Sequence, residues 1–184
     1  MSNPIRTDWI QSYTGRQCFP LEPDASAVCI EDIAHSLACQ ARFAGHTRVP
    51  LSVAQHSVFV SQHCPSDLAL VGLLHDAAEA YVQDLVKPIK RSLLGDQYAQ
   101  AERGWALAIG QVFDLGTQLA DLPAEVKHAD LVAFATEARD CFATVSPAPR
   151  RPLPEPSTRP VIPIPWYQAE SLFLVAFKIL SRKE

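Results

Sequence analysis

The sequence predicts an all-α protein. Apolar residues recur at helical spacing in successive stretches, whereas the alternating pattern of strands is nearly absent. Proline and glycine separate these stretches, and no internal repeat is visible. A chain of 184 residues suits one domain that buries a sizeable core. We therefore expect residues 1–184 to form a single compact helical bundle.

The first half of the chain predicts an irregular extension followed by two helices. Residues 1–28 are interrupted by glycine and proline and are expected to lack regular structure. A helix is expected over 30–44, where apolar residues share one face. The pattern from Ser52 to Gln55 matches a capping box and predicts a second helix over 53–63.

A third helix is predicted over 67–82, and it is the most informative stretch of the chain. It carries His75 and Asp76 among leucines and alanines, which indicates that the helix is buried. Glu79 falls one turn later, at a spacing that lets it lean towards the same region. Pro88 is expected to end regular helix, which leaves 83–88 as a loop beyond the His-Asp pair.

The second half predicts two more helices of the core, over 96–113 and from Pro123 onwards, so that the core spans 29–145. The segment 146–165 is rich in proline, which is typical of a mobile tail or of an extended strap. Because it also carries Val161, Ile164 and neighbouring apolar residues, we expect it to pack on the domain. An amphipathic helix within 166–184 then completes the fold.

Composition limits the function classes. A net charge of −4 and a pI near 5.8 provide no basic surface for duplex nucleic acid, so an anionic substrate would need locally placed cations. No signal peptide and no apolar run long enough to span a bilayer is present, which predicts a cytoplasmic protein without a membrane partner. Five scattered cysteines without a C-x-x-C pair are typical of free thiols in a reducing compartment.

Four ionisable side chains on three separate predicted helices border apolar faces and point inward: His56, His75, Asp76 and Asp130. Burying an ionised carboxylate costs several kcal/mol unless a partner or a metal compensates. Two imidazoles with two carboxylates suit Mn²⁺, Co²⁺, Zn²⁺, Fe²⁺ or Ni²⁺ rather than Ca²⁺. Four protein ligands leave coordination positions open for water, as in catalytic sites.

These residues resemble the H…HD…D pattern of the HD-domain phosphohydrolases. The stretch from His75 through Glu79, followed by Asp84-Leu85 and Pro88-x-Lys90, is similar to the pattern of the branch that contains bacterial 5′-deoxynucleotidases and phage dATP triphosphohydrolases. In that branch an Arg and a bulky aromatic precede the first ligand, as Arg42-Phe43 precede His56 here. The resemblance covers about residues 30–142.

The resemblance implies a role for each matching residue. His56, His75, Asp76 and Asp130 would hold one divalent transition metal, and a triphosphate substrate would allow an additional Mg²⁺ or Mn²⁺. Glu79 and Asp84 would transfer protons or grip a sugar hydroxyl. The substrate would be bound by Arg42, Phe43, Lys90 and Lys127, with His35 and His46 as further candidates for the pocket wall.

The implied activity is hydrolysis of a (deoxy)nucleotide, releasing phosphate from a 5′-monophosphate or triphosphate from a dNTP. A hydrolase of another phosphorylated nucleotide, such as an alarmone, would share the same ligands. A non-catalytic helical module with a structural metal, serving as a nucleotide sensor or scaffold, is the alternative from another class. Whether the chain forms a homo-oligomer is left open by the sequence.

Overall fold

Helices dominate the structure, a computed structural model that describes residues 8–90, 95–144 and 152–182, and the all-α prediction is confirmed. A short antiparallel hairpin, β1 and β2, precedes the helices. The elements are β1 Ile10–Gln11, β2 Gln17–Cys18, α1 Ile30–Cys39, α2 Val53–Ser61, α3 Ala69–Leu74, α4 Glu79–Val82, α5 Lys87–Lys90, α6 Gly95–Val112, α7 Ala124–Cys141 and α8 Trp166–Leu180.

Helix α1 ends at Cys39, five residues before the predicted end. Gln40 and Ala41 are extended, and Ala41 forms a β-bridge with Ser52 just before α2. The following 3-10 turn, Arg42–Gly45, contains Phe43 at φ 55°. This early end draws Arg42 beside the start of α2, where its amide donates to the carbonyl of Leu51.

The predicted helix over 67–82 is broken between α3 and α4. The amides of Ala77 and Glu79 donate to the carbonyls three residues earlier, those of Leu74 and Asp76. Such i to i+3 bonds tighten the turn relative to an α-helix, and a stretch of them within a helix often marks a functional hinge or local strain. His75 and Asp76 therefore lie on a tight turn rather than inside a continuous helix.

The loop predicted over 83–88 is shorter than expected, because α5 begins at Lys87 and includes Pro88. Proline is tolerated in the first turn of a helix, where its missing N–H would have no intrahelical partner. Gln83, which ends α4, has φ 71°, so the chain changes direction sharply just before Asp84.

The core lies where α1, α2, α3 and α8 meet. Its largest fully buried side chains include Trp105, Phe173, Ile33 and Leu37. Helix α2 is buried on nearly every face because α3, α7 and α8 surround it. A polar group on such a helix must find its partners inside the protein.

The proline-rich segment packs as predicted over its described part, residues 152–165, whereas 146–151 lie outside the described residues. Val161 is buried, and the Gln55 side chain donates to the carbonyl of Ile162 and accepts from the amide of Ile164. In a capping box, the side-chain oxygen of Gln55 would accept from the backbone N–H of Ser52. Here the side-chain amide of Gln55 instead binds the proline-rich segment. Ser52 still accepts from the amide of Gln55, as predicted.

The N-terminal hairpin contradicts the expectation of a wholly irregular extension. Thr14 donates through its amide and hydroxyl to the two oxygens of buried Asp32, and these bonds fix the hairpin on α1. The indole of Trp105 donates to the carbonyl of Pro20, which joins the segment to α6. Among the described residues, no helix is both long and apolar enough to cross a membrane.

Candidate metal centre

Three predicted ligands converge from three elements. One donor atom each from His56 on α2, His75 after α3 and Asp130 on α7 lies within 4.8 Å of the others. The fourth, Asp76, places its Oδ2 3.6 Å from His56 Nε2 and 3.2 Å from His75 Nε2. The structure thus joins side chains that are far apart in sequence into a group that could bind a metal ion.

The spacing fits a shared ion better than direct pairing. Two donor atoms bound at about 2.1 Å to one ion lie roughly 3.0–3.4 Å apart. His56 Nε2 is 3.3 Å from Asp130 Oδ1, close to that range. Yet Nε2 of neither His56 nor His75 has a hydrogen-bond partner within the described part of the chain, although both atoms are buried. Buried polar atoms normally have partners, and these two nitrogens are placed where they could bind a metal ion.

The other ring nitrogen of each histidine is already engaged. Nδ1 of His75 lies 2.8 Å from the carbonyl oxygen of Gly72, which can only accept. Nδ1 of His56 lies 2.7 Å from Oε1 of Glu137. With a proton held on Nδ1, each ring in its neutral form would direct its Nε2 lone pair towards the centre. This outer hydrogen bonding is typical of histidines that bind metals.

The charges around the centre shift pKa values strongly. Burial opposes ionisation of Asp76, but His75, His56 and Arg42 outweigh it and hold the pKa of that carboxyl well below its usual range. Burial also opposes ionisation of Asp130, but the hydrogen bond and charge of His56 outweigh burial and lower the pKa of Asp130 to about 2. Burial and Arg42 disfavour a charged His56, yet Glu137 and Asp130 raise its pKa to about 9. Both carboxylates are thus ionised, and His56 carries a proton that a divalent cation would replace.

Glu137 and Arg42 form an inner ion pair behind the centre, and Glu137 was not predicted. Its carboxylate is fully buried and accepts from Arg42 Nε at 3.1 Å as well as from His56. Burial works against its ionisation, but His56 and Arg42 bring the pKa of Glu137 below its usual range. The sequence could have indicated Glu137, because it follows Asp130 by seven residues, or two helical turns, and so lies on the same face of α7.

Glu79 lies between the metal centre and the ammonium group of Lys90. Its Oε1 lies 3.0 Å from Lys90 Nζ, and Lys90 also contacts Glu102 at 2.8 Å. Its Oε2 is buried and lacks a hydrogen-bond partner among the described residues. Burial, together with the charge of Asp76, raises the pKa of the Glu79 carboxyl. One oxygen is therefore held in place, while the other is available for proton exchange.

A cleft of about 350 Å³ opens beside the centre, a size in the range of small-molecule sites. It brings together three of the four predicted substrate residues, Arg42, Phe43 and Lys90. Its lining also includes the predicted ligands Asp76 and Asp130, the predicted proton-transfer residues Glu79 and Asp84, and Phe134, which was not predicted. The ring centroids of Phe43 and Phe134 are 5.6 Å apart, so the wall of the cleft includes an aromatic pair. Phe43 holds a left-handed backbone conformation, which costs a non-glycine residue roughly 1–2 kcal/mol.

Lys127 is exposed and lies apart from this cleft. It lines a second cleft of about 460 Å³, whose lining also includes His75 and Asp76 of the centre and the neighbouring Glu79. In that second cleft Arg103 is paired with Asp121 through two hydrogen bonds of 2.8 and 2.9 Å. His35 does not line either cleft, because it stacks on Tyr13 and pairs with Glu170. His46 is exposed at the end of the 3-10 turn.

Gln40 is a second unpredicted residue of the site. Its amide group donates to the carbonyl of Glu79, and its side-chain oxygen accepts from the amide of Asp84. The extended backbone after α1 makes this reach possible, because a continued helix would carry Gln40 in another direction. Gln40 therefore fixes the spacing of the two predicted proton-transfer residues. A polar residue at the end of a helix gives no signal of this role in the sequence.

Two bacterial proteins are similar to most of the chain. The uncharacterized protein YfdR of Escherichia coli strain K12 is 39% identical over 132 residues, which cover 72% of this chain and 71% of YfdR. An uncharacterized protein of Rhodobacter capsulatus is 34% identical over 144 residues, which cover 73% of this chain and 71% of the relative. No family model matches the chain. Neither relative's name states an activity, so the chemistry must be argued from the residues.

Proposed function

The chain belongs to the same family as YfdR of Escherichia coli, and we propose that it is a metal-dependent phosphohydrolase that acts on a (deoxy)nucleotide. The observation that carries the proposal is the pair of buried imidazole nitrogens, His56 Nε2 and His75 Nε2, which have no hydrogen bond from the described residues and lie beside the two ionised carboxylates of Asp76 and Asp130. A purely structural metal site is normally closed by its protein ligands. This centre instead borders two clefts.

The donor set fits a divalent transition ion held by His56, His75, Asp76 and Asp130, with Mn²⁺ or Co²⁺ as our first choice. When bound, such an ion supplies Lewis-acid polarisation of a phosphoryl oxygen and makes a coordinated water more acidic. These are the two contributions that hydrolysis of a phosphate ester needs most. The buried surroundings strengthen both, because charges interact more strongly away from bulk water.

The protein's own groups account for the proton movements. Water adds to phosphorus through its oxygen while the bond between phosphorus and the ester oxygen breaks. Glu79 Oε2 would exchange the protons, one leaving the attacking water and one reaching the departing oxygen. Lys90 holds the other oxygen of Glu79, and Gln40 holds its backbone. The products are an alcohol and a phosphate, so the step needs no further reactant.

The surroundings of the cleft support an anionic substrate with a flat apolar part. The guanidinium of Arg42 lies beside the centre and would balance charge that develops on the phosphoryl oxygens. Phe43 and Phe134 provide aromatic surface at the other side of the cleft, suited to a nucleobase. Asp84 lines the same cleft and would accept from a sugar hydroxyl.

The test is a screen of the purified protein with Mn²⁺ or Co²⁺ against dNMPs and dNTPs, with release of phosphate or triphosphate as the readout. We expect metal-dependent turnover, and His75→Asn should abolish it together with metal binding. His128→Asn, an exposed histidine on α7, serves as the matched control and should behave like the wild type. A protein that binds metal and turns over no phosphorylated nucleotide would refute the proposal.

A further inference from the structure

Glu137 connects two parts of the site that otherwise have separate tasks. Its Oε1 accepts from Nδ1 of His56, and its Oε2 accepts from Nε of Arg42. The carboxylate is fully buried, and its two oxygens are each committed to one of these donors. Charge-assisted bonds of this kind are short and directional, so they fix both side chains.

The bond from Nε also decides which edge of Arg42 faces the centre. With Nε held from behind, Nη1 lies 3.8 Å from Asp76 Oδ2, a residue of the metal centre. The guanidinium is mostly buried, so it has little room to adopt another orientation. Two of its groups therefore have fixed neighbours: Glu137 at the back and Asp76 at the front.

We infer that Glu137 is a positioning residue that couples divalent metal binding at His56 to binding of a phosphoryl anion at Arg42. The inference rests on the proposed function for the assignment of Arg42 to the phosphoryl group. A metal on Asp76 takes over the charge that attracts Arg42 Nη1, which leaves that edge of the guanidinium for an anion. Glu137 keeps the guanidinium from moving away. By linkage, the metal then strengthens anion binding and the anion strengthens metal binding by the same factor.

Substitution by glutamine is the sharpest perturbation of this arrangement. Gln has nearly the same shape as Glu but only one accepting oxygen, whereas His56 and Arg42 both present donors. Its amide NH₂ must face one of the two donors, so either the histidine or the arginine loses its anchor. The overall volume of the core is unchanged, which separates positioning from packing.

The experiment measures the affinity for Mn²⁺ by calorimetry with and without saturating inorganic phosphate, using the full chain. We expect phosphate to tighten Mn²⁺ binding at least about fivefold in the wild type, the lower end of typical coupling between sites. In Glu137→Gln the factor should fall below about twofold. Glu125→Gln, an exposed glutamate on the same helix, is the matched control and should keep the wild-type factor.

A second variant removes the dependence on one substitution. Arg42→Lys retains a positive charge but lacks the N–H that Glu137 accepts, so it should lose the coupling in the same way. Circular dichroism identifies variants that do not fold, and the coupling factor of the other variant then decides. Retention of the wild-type factor in either folded variant would overturn the inference, as would a wild-type factor below about twofold.

The outcome is separable from that of the proposed function. If the protein binds Mn²⁺ and phosphate cooperatively through Glu137 but hydrolyses no nucleotide, the coupling is supported and the phosphohydrolase proposal is refuted. If the protein hydrolyses nucleotides but Glu137→Gln leaves the coupling intact, the phosphohydrolase proposal is supported and the positioning role of Glu137 is refuted.

Discussion

Glu79 combines the two properties that a proton-transfer residue requires. One carboxylate oxygen is immobilised by Lys90, and the other is buried beside the metal centre without a hydrogen bond from any described residue. Burial and the nearby Asp76 charge raise the pKa of its carboxyl to about 9, so that the metal-free protein holds a proton on this group at neutral pH. General acids and bases work best when their pKa lies near the operating pH.

We expect Glu79→Gln to lower turnover by at least about 100-fold, since a positioned acid or base contributes roughly 10²–10⁴. Gln keeps the bulk of the side chain but cannot exchange a proton at neutral pH. Metal affinity and circular dichroism should stay close to wild type, because Glu79 is not a predicted ligand. Glu31→Gln, an exposed glutamate in the first turn of α1, controls for charge. Comparable turnover in Glu79→Gln and the control would exclude the role.

The individual residues of the centre were more predictable than their supports. His56, His75, Asp76 and Asp130 were readable because ionisable groups on apolar helices are costly and therefore informative. Glu137 carried the same signal on α7 but was not singled out. Gln40 carried none, since its role depends on the extended backbone that follows α1. Supporting residues act through local geometry, which the spacing of a sequence does not specify.

At the scale of the elements, the existence and type of the main helices were predictable, but two local breaks in helical structure were not. Apolar periodicity located the major helices, and Ser52 marked the start of α2. The end of α1 and the continuity of the helix carrying His75 were wrongly predicted, because tertiary contacts override local propensity there. The bridge from Ala41 to Ser52 ends the first, and i to i+3 bonding interrupts the second. Both departures occur where the chain builds the site.

Gly72 lets α2 and α3 approach closely, and this approach places His75. A Cβ on Gly72 would lie 2.6 Å from the Sγ of Cys64 and 3.2 Å from the Cα of Ser61. We expect Gly72→Ala to destabilise the protein by roughly 1–3 kcal/mol through overpacking, measured by denaturant unfolding. Because the carbonyl of Gly72 faces His75 Nδ1, metal affinity should fall as well.

Cys64→Ala provides the matched test of this explanation. Combined with Gly72→Ala, it should restore part of the lost stability, because the sulfur contact disappears while the backbone contact at Ser61 remains. The two substitutions are in contact, so their effects should not add. A Gly72→Ala protein as stable as the wild type would show that the helices can separate at no cost.

At the scale of the whole molecule, the segments on either side of the helical core are tied to it by side-chain hydrogen bonds. The hairpin is fixed to α1 through Asp32, and the strap of residues 152–165 is fixed to α2 through Gln55. The ligands come from α2, α7 and the turn after α3, so the centre exists only when these elements are packed together. A metal ion bound at this centre would therefore stabilise the folded state.

The charge on His56 sets the pH dependence of this linkage. In the metal-free protein its pKa of about 9 exceeds the ordinary value of 6.5. Its contribution to stability is therefore fully present below about pH 6.5 and is lost as the pH rises through about 9. Asp76 and Asp130 have lowered pKa values, so their contributions persist above the ordinary value of 3.8 and do not change in this window.

We expect the melting temperature of chelator-treated protein to fall between about pH 6.5 and 8.5, since the folded state loses its charged His56. The increase in melting temperature produced by a fixed Mn²⁺ concentration should grow over the same interval, because fewer protons compete for Nε2. His56→Gln should remove only its own share of the fall in melting temperature, because the carboxyl of Glu79, with a pKa raised to about 9, destabilises the folded state over the same interval. It should remove most of the pH dependence of the Mn²⁺ effect. A stabilisation by Mn²⁺ that is equal at both pH values would mean that the ion does not displace the His56 proton and binds elsewhere.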